Sequence, residues 1–414
     1  MGCNQSKSAK TTRTATYLES SAAADNRLTV IVVHYNPQRF KRRAQLVNDC
    51  LQRLSDTRRR LISDTKFHLN IVAVELVYDG YNPSVLSDTQ GIEMTYEEKN
   101  KSEIFPIVDV QMIRRTVPAE QVMWSKEQLI NLAIRNLPKD EKYVAWIDSD
   151  VAFADDSWVS KAIRTLSKHP LAFGQLWGTC DMLGPDGKKQ GGMTMTSFAQ
   201  QKAVGKSYVS CSNRQVADYW HPGFAWIATM EALKRTNNLI DKTLGSADRH
   251  MAMSFLGRAA ETVPENIQNS YKLQVLEWQQ RVLDNNIELV VVPVHIVHYW
   301  HGSLHRRQYM GRWDLLAKHR FDPTKYLKWN KQTDLYYWNE QSCPPQLVEE
   351  IVEYFENRQE DSGEDGEDDE DAAPGGEEEG MDGGDEAFEE DPMLDAEKGM
   401  DGEAADLASL DFYA

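Results

Sequence analysis

The stretch Tyr143-Val144-Ala145-Trp146-Ile147-Asp148-Ser149-Asp150-Val151-Ala152-Phe153 decides how the rest of the chain is read. Its short apolar run reads as a buried strand, and the run stops at two acids separated by one residue. In an extended chain, side chains i and i+2 lie on the same side. Asp148 and Asp150 can therefore offer two hard oxygen ligands to one divalent cation. Open α/β sheets bind ligands beyond the carboxyl ends of their strands, which is where these acids fall. Acids also close strands simply as turn formers, so the pair acquires meaning only from its surroundings.

Those surroundings alternate between strands and helices. Leu28 to Tyr35 is a β-branched run closed by Asn36-Pro37, and an Arg-rich helix follows to about residue 60. Ile71 to Tyr78 is a second strand that carries Glu75 and ends at Asp79-Gly80; residues 106–116 give a third. Ser125 opens a helix as N-cap with Gln128 in capping-box position, and Glu127 and Asn131 share one of its faces. Asp155 caps the helix after the two-acid strand. This order implies a mostly parallel sheet with helices on both faces. No G-x-G-x-x-G follows a strand, so a dinucleotide site is not expected. From Gly174 to Asp218 the pattern dissolves into a long loop of the kind that serves as a lid or insert. It resumes at Trp220-His221-Pro222-Gly223-Phe224-Ala225-Trp226 and at Gly245-Ser246-Ala247-Asp248. A helix over about 265–283 then leads to the last strand, Ile287–Val294, and to His295, His298 and His301.

The formal charge of −18 misleads about the folded part. Residues 359–414 hold 24 of the 64 acids and one of the 46 basic residues, so the remainder is mildly basic at +5. That suits a phosphate-bearing ligand and is too little to argue for nucleic acid, for which no signature appears. Five scattered cysteines, Cys3, Cys50, Cys180, Cys211 and Cys343, form no disulfide framework and point to a reducing compartment. No apolar run is long enough to span a bilayer. Met1-Gly2-Cys3-Asn4-Gln5-Ser6 instead fits a myristoylation signal with Cys3 as palmitoyl acceptor. Lys7, Lys10 and Arg13 add positive charge, the further signal that stable anchoring needs. The expected organisation is a flexible lipid-anchor leader (1–26), a catalytic domain (27–320), a helical extension (321–358) and a disordered acidic tail (359–414) able to meet a basic partner. Acylation of this kind places the protein in the cytoplasm, on the cytosolic face of a membrane.

In order, these pieces resemble the glycosyltransferases of the GT-A fold, family 2-like, over about residues 27–320. The matching pieces are Trp124-Ser125-Lys126-Glu127 with Asn131, the D-x-D of Asp148 and Asp150, and the Pro222-Gly223-Phe224-Ala225-Trp226 stretch. The late Asp248 and His298-Tyr299-Trp300-His301-Gly302 with Arg307 and Arg312 complete the set. The resemblance implies an α/β, Rossmann-like GT-A sheet and a hexosyltransferase-type reaction that moves sugar from a nucleotide-sugar donor to a hydroxyl acceptor. It also implies a Mn²⁺ or Mg²⁺ cofactor. Asp150 would be the direct ligand, Asp148 would contact metal or ribose, and His298 would be the third ligand with His301 as rival. Asn36, Asp79, Lys126, Glu127, Asn131 and Arg307 would line the donor site, with Arg306 and Arg312 as further diphosphate contacts or a solvated basic face. Asp248 would be the general base or else a helix N-cap, with His250 beside it. Where members often carry paired acids after the second strand, this chain has Val77-Tyr78-Asp79-Gly80, which leaves the nucleobase open. The absence of a Q-x-x-R-W segment argues for single-sugar transfer. A catalytically silent membrane-tethered scaffold of the same shape and a metal-dependent nucleotidyltransferase are the competing readings.

Overall fold

A computed structural model describes residues 24–64, 66–85, 110–208, 219–302, 306 and 311–361. The chain runs β1 (Arg27–Tyr35), α1 (Lys41–Asp64), β2 (His68–Tyr78), β3 (Val110–Val117), α2 (Lys126–Arg135), β4 (Tyr143–Ile147), β5 (Val151–Phe153) and α3 (Ser157–Lys168). It continues through β6 (Ala172–Gln175), β7 (Thr179–Leu183), β8 (Lys189–Ser197), α4 (Phe198–Ala203), β9 (Trp220–His221), β10 (Ala225–Thr229), α5 (Met230–Thr236), α6 (Ala247–Ser254) and α7 (Asn269–Asp284). The last elements are β11 (Glu288–Val291), β12 (His295–His298), α8 (Gly311–Lys318), α9 (Pro323–Tyr326), β13 (Leu327–Asn330), β14 (Leu335–Trp338) and α10 (Pro345–Asn357).

Seven strands in the order β11-β6-β10-β4-β1-β2-β3 make the central sheet, in which β10 alone runs antiparallel to its neighbours. Its inner strands are predominantly apolar and almost wholly buried, as expected where helices cover both faces. Alternation along β4 shows this directly. Val144 and Trp146 enter one apolar cluster with Leu129 of α2 and Trp278 of α7, whereas Ala145 and Ile147 enter another with Leu51 of α1 and Trp158 of α3. Trp146 and Trp226 face each other across β4 and β10 with nearly parallel rings 6.4 Å apart, an aromatic pair worth about 1 kcal/mol beyond its burial. Glu75 is tolerated inside β2 because Ser84 N (2.6 Å) and Val85 N (3.0 Å) donate to one of its oxygens and Arg114 Nε (2.8 Å) to the other.

The α/β class and the mostly parallel sheet are as the sequence implies, but several local expectations are corrected. Most of 174–218 is ordered: β7 and β8 join β5, β12 and β9 in a second sheet, and only 209–218 lies outside the described residues. The polar Lys189–Ser197 run hides its pairing because this strand carries few apolar residues. Ser125 makes no cap bond; its Oγ donates to Met123 O, and Gln128 Oε1 accepts from Tyr336 N. Asp155 does accept from Ser157 N, although Asp156 occupies the position before α3. Residues 321–358 contain the β13–β14 hairpin as well as helices. Phe321, Trp338, Leu347 and Phe355 belong to the same apolar cluster as Leu129, so this extension is part of the main core. The described residues continue through Glu360 to Asp361, three residues into the 359–414 stretch. The leader before Ala24, the tail from Ser362 onward, Cys3 and Cys211 lie outside the described residues, whereas Cys50, Cys180 and Cys343 are free and buried. Among the described residues no helix is long and apolar enough to cross a membrane.

Candidate metal and transfer site

β4 ends at Ile147, and the chain then turns, with Val151 N donating to Asp148 O at 3.3 Å. The turn replaces the extended geometry expected for Asp148-Ser149-Asp150 and gives the two acids different partners. Asp148 Oδ1 takes an ion pair from Lys126 Nζ at 2.5 Å, at the start of α2. Asp150 Oδ2 lies 2.7 Å from His301 Nε2 and 3.5 Å from His298 Nε2. Register delivers these histidines: β12 pairs with β5, placing His298 opposite Val151, and Tyr299 N donates to Asp150 O at 2.7 Å.

Asp150, His298 and His301 each offer a ligand atom, all within 4.8 Å of one another. Both histidines enter the group, so the choice between them dissolves, and Asp148 lies outside it. Asp150 Oδ1 and His298 Nδ1 are buried with no hydrogen-bond partner. Buried polar atoms are almost always satisfied, and unmet atoms on a carboxylate and an imidazole fit a cation of borderline softness. Burial works to raise the Asp150 carboxyl, but His298 and His301 hold it well below the usual carboxylate range, so it is ionised.

Beside this group lies a second cluster of charge. Burial alone would lower Lys126, yet Asp148, Asp248 and Glu127 raise it, and it stays protonated. Burial pushes the Glu127 carboxyl up to about 7, against Lys126 and with Asp248 adding to the rise. Burial likewise raises Asp148, opposed by Lys126 and reinforced by Asp150. Asp248, in the first turn of α6, therefore acts on the same charges despite its distance in sequence. Its Oδ1 accepts from Arg249 N at 2.8 Å, and Ser246, not Asp248, holds the N-cap position. Gly223 makes its approach possible: a Cβ there would stand 3.0 Å from Asp248 Oδ2 and 3.1 Å from His221 Cε1.

The Trp220–Trp226 stretch ties the two clusters together. Asp148 N donates to Phe224 O at 2.8 Å, and the Phe224 ring stacks on His221 at 4.1 Å and tilts against His298 at 4.9 Å. Phe224 (φ +79°) and Ser246 (φ +62°) both hold left-handed backbone conformations, which cost of order 1–3 kcal/mol and gather at functional sites. Neither residue type announces this in a sequence. His221 was not singled out by the sequence; burial lowers it to about 4, so it is a neutral imidazole whose Nδ1 accepts from Gly223 N.

Other expected site residues have different employment. Asn131 is buried, donating to Leu239 O and Asp241 Oδ2 and accepting from Leu239 N. Asn36 exchanges two bonds with the Phe40 backbone and shapes the turn into α1. Asp79 is exposed at the end of β2. His250 is fully buried in the core, bonded at both nitrogens, and cannot serve as a base near Asp248. Arg312 Nη2 donates to Ser246 Oγ at 2.6 Å, and its guanidinium lies over the Trp124 ring. Arg306 donates to Gln359, and Arg307 lies outside the described residues.

No family model matches the chain, and no curated protein matches it by sequence. Solved structures of similar shape include a mutant β1,4-galactosyltransferase 7 from Drosophila, in complex with manganese, UDP-Gal and xylobiose. It shares 10% identity over 76% of this chain and 93% of its own, with a TM-score of 0.35. Another is glucosyl-3-phosphoglycerate synthase from Mycobacterium tuberculosis with Mn²⁺, UDP-glucose and phosphoglyceric acid (11% identity, 72% and 79% covered, TM-score 0.31). A third is 4-diphosphocytidyl-2C-methyl-D-erythritol synthase from Anaerococcus prevotii (10%, 66% and 89%, TM-score 0.27). Likeness at this level carries no assignment across to this chain, and the functional reading is built on the site itself.

Proposed function

We propose that this chain is a metal-dependent glycosyltransferase of the GT-A type that moves a single sugar from a nucleotide-sugar to a hydroxyl acceptor. The observation that carries this reading is the group Asp150, His298 and His301, with Asp150 Oδ1 and His298 Nδ1 buried and unmet, set at the mouth of β4 beside Lys126, Asp148, Glu127 and Asp248. Asp150, His298 and His301 would hold the cation, and two imidazoles favour Mn²⁺ over Mg²⁺, which prefers an all-oxygen shell. The bound cation would supply charge neutralisation for a diphosphate leaving group. Lys126 holds Asp148 in place at the ribose side of the donor. Asp248 takes the proton of the acceptor hydroxyl, and Gly223 leaves the acceptor side open for it.

The reading extends to location: acylation at Gly2 and Cys3 attaches the enzyme to the cytosolic face of a membrane, supported by the Met1–Ser6 signal and its basic neighbours. Replacing Gly2 by Ala is expected to shift the protein to the soluble fraction, whereas wild-type protein that is already soluble in a eukaryotic host opposes the anchor. For the site, the test is a thermal-shift screen of UDP- and GDP-sugars with and without Mn²⁺. Specific binding raises the melting temperature through mass action. The expected result is a rise for one nucleotide class only when Mn²⁺ is present. Equal rises without metal, or none with any donor, would oppose the reading.

A further inference from the structure

We propose that Glu360 is a positioning residue for the metal site: it fixes the ring of His301 from behind, and so makes the start of the C-terminal acidic stretch part of that site. The inference rests on the metal reading of Asp150, His298 and His301. Glu360 is 1% exposed although it follows the last helix. Arg43 of α1 grips it from two sides, Nε to Oε2 at 2.5 Å and Nη2 to Oε1 at 2.8 Å, and Arg358 Nε adds a third bond to Oε1 at 2.8 Å. Asp361 anchors the next residue on the first backbone amides of α1, accepting from Lys41 N and Arg42 N at 2.8 Å each. Gly302 packs directly against this segment, and its φ of +101° is a left-handed conformation that suits glycine.

The clasp carries the carboxylate to the far side of His301. Nε2 of that ring faces Asp150 at 2.7 Å, and Nδ1 faces Glu360 Oε2 at 3.9 Å. A histidine that gives Nε2 to a metal must carry its proton on Nδ1. Metal-bound histidines characteristically donate that proton to a carboxylate, which fixes tautomer and ring plane. A shift of about an ångström brings the pair to hydrogen-bond distance. Arg43 and Arg358 pair with the Glu360 carboxylate on both oxygens, and a carboxylate so held is an acceptor for this proton.

The test measures Mn²⁺ affinity, and the visible spectrum of bound Co²⁺, on the full chain and on the variants Glu360→Gln and Arg358→Gln. Both variants disturb the clasp, but only the first removes the charge behind His301. Glu360→Gln is expected to weaken Mn²⁺ binding about 10- to 100-fold, the usual cost of losing an outer partner, and to shift the Co²⁺ bands. Arg358→Gln is expected to stay within about threefold of wild type. Should Glu360→Gln fail to fold, Glu360→Asp keeps a charge for Arg43 while drawing back from His301, and the same weakening is expected. Wild-type affinity in a folded Glu360 variant, or equal weakening in Arg358→Gln, overturns the inference and leaves the metal reading standing. A wild-type chain that takes up no Mn²⁺ overturns both.

Discussion

His250 and the pair His298/His301 are all candidate site histidines in the sequence, and the structure separates them completely. His250 is fully buried on α6, with Nδ1 bonded to Thr262 Oγ1 at 2.5 Å and Nε2 to Tyr271 OH at 2.9 Å. Burial, helped by Arg249 and Arg312, lowers it to about 3, so it is a neutral core residue with nothing left to offer. His298 is as deeply buried, yet its Nδ1 has no partner and its other nitrogen faces an ionised Asp150. Burial alone therefore does not distinguish scaffold from site. What distinguishes them is whether the protein itself has used up the polar atoms.

That contrast is open to experiment. His298→Ala or His301→Ala is expected to weaken Mn²⁺ binding by on the order of 10³-fold, beyond the cost of an outer partner. Calorimetric metal titrations check this. His250→Ala reverses the pattern: metal affinity is kept, while denaturant unfolding should show a loss of about 3 kcal/mol from a cavity and two broken hydrogen bonds.

Carboxylates sharpen the same comparison, because Glu127 and Asp150 are shifted in opposite directions. The folded-state value of Glu127, about 7, is above its ordinary 4.5, so the folded state holds an extra proton between those values. Its stabilising contribution is full below about pH 4.5 and is lost as pH rises through about 7, by roughly 3 kcal/mol. Unfolding free energies of wild type and Glu127→Gln across this range are the measurement; the variant should lack that fall. The smallest expected effect is kinetic. Asp248→Asn keeps the shape and donor affinity but removes the proton acceptor, lowering transfer by about 10²-fold. A near-normal rate in that variant, measured beside donor affinity, would move the base elsewhere.

Much of the fold was legible because inner strands such as the β-branched Leu28–Tyr35 and the apolar Tyr143–Ile147 are strongly hydrophobic runs, and such runs need cover on both faces. The second sheet was hidden because Lys189–Ser197 pairs through its backbone with little apolar patterning. Within the site, Asp148, Asp150, Lys126, Asp248 and the two late histidines could be picked out as chemistry-bearing residues in order. Their partnerships could not, since those depend on the turn at Asp148–Val151 and on the β12–β5 register. Glu360 sits among so many acids that nothing in the sequence marks it; only the distant Arg43 and its neighbour Arg358 make it special.

The most direct measurement is calorimetry of UDP and GDP binding with and without Mn²⁺, on wild type and on Asp150→Ala. The account predicts that one nucleoside diphosphate binds wild type only when Mn²⁺ is present, and that Asp150→Ala keeps its fold and loses this binding. Unchanged, metal-dependent affinity in Asp150→Ala would contradict it.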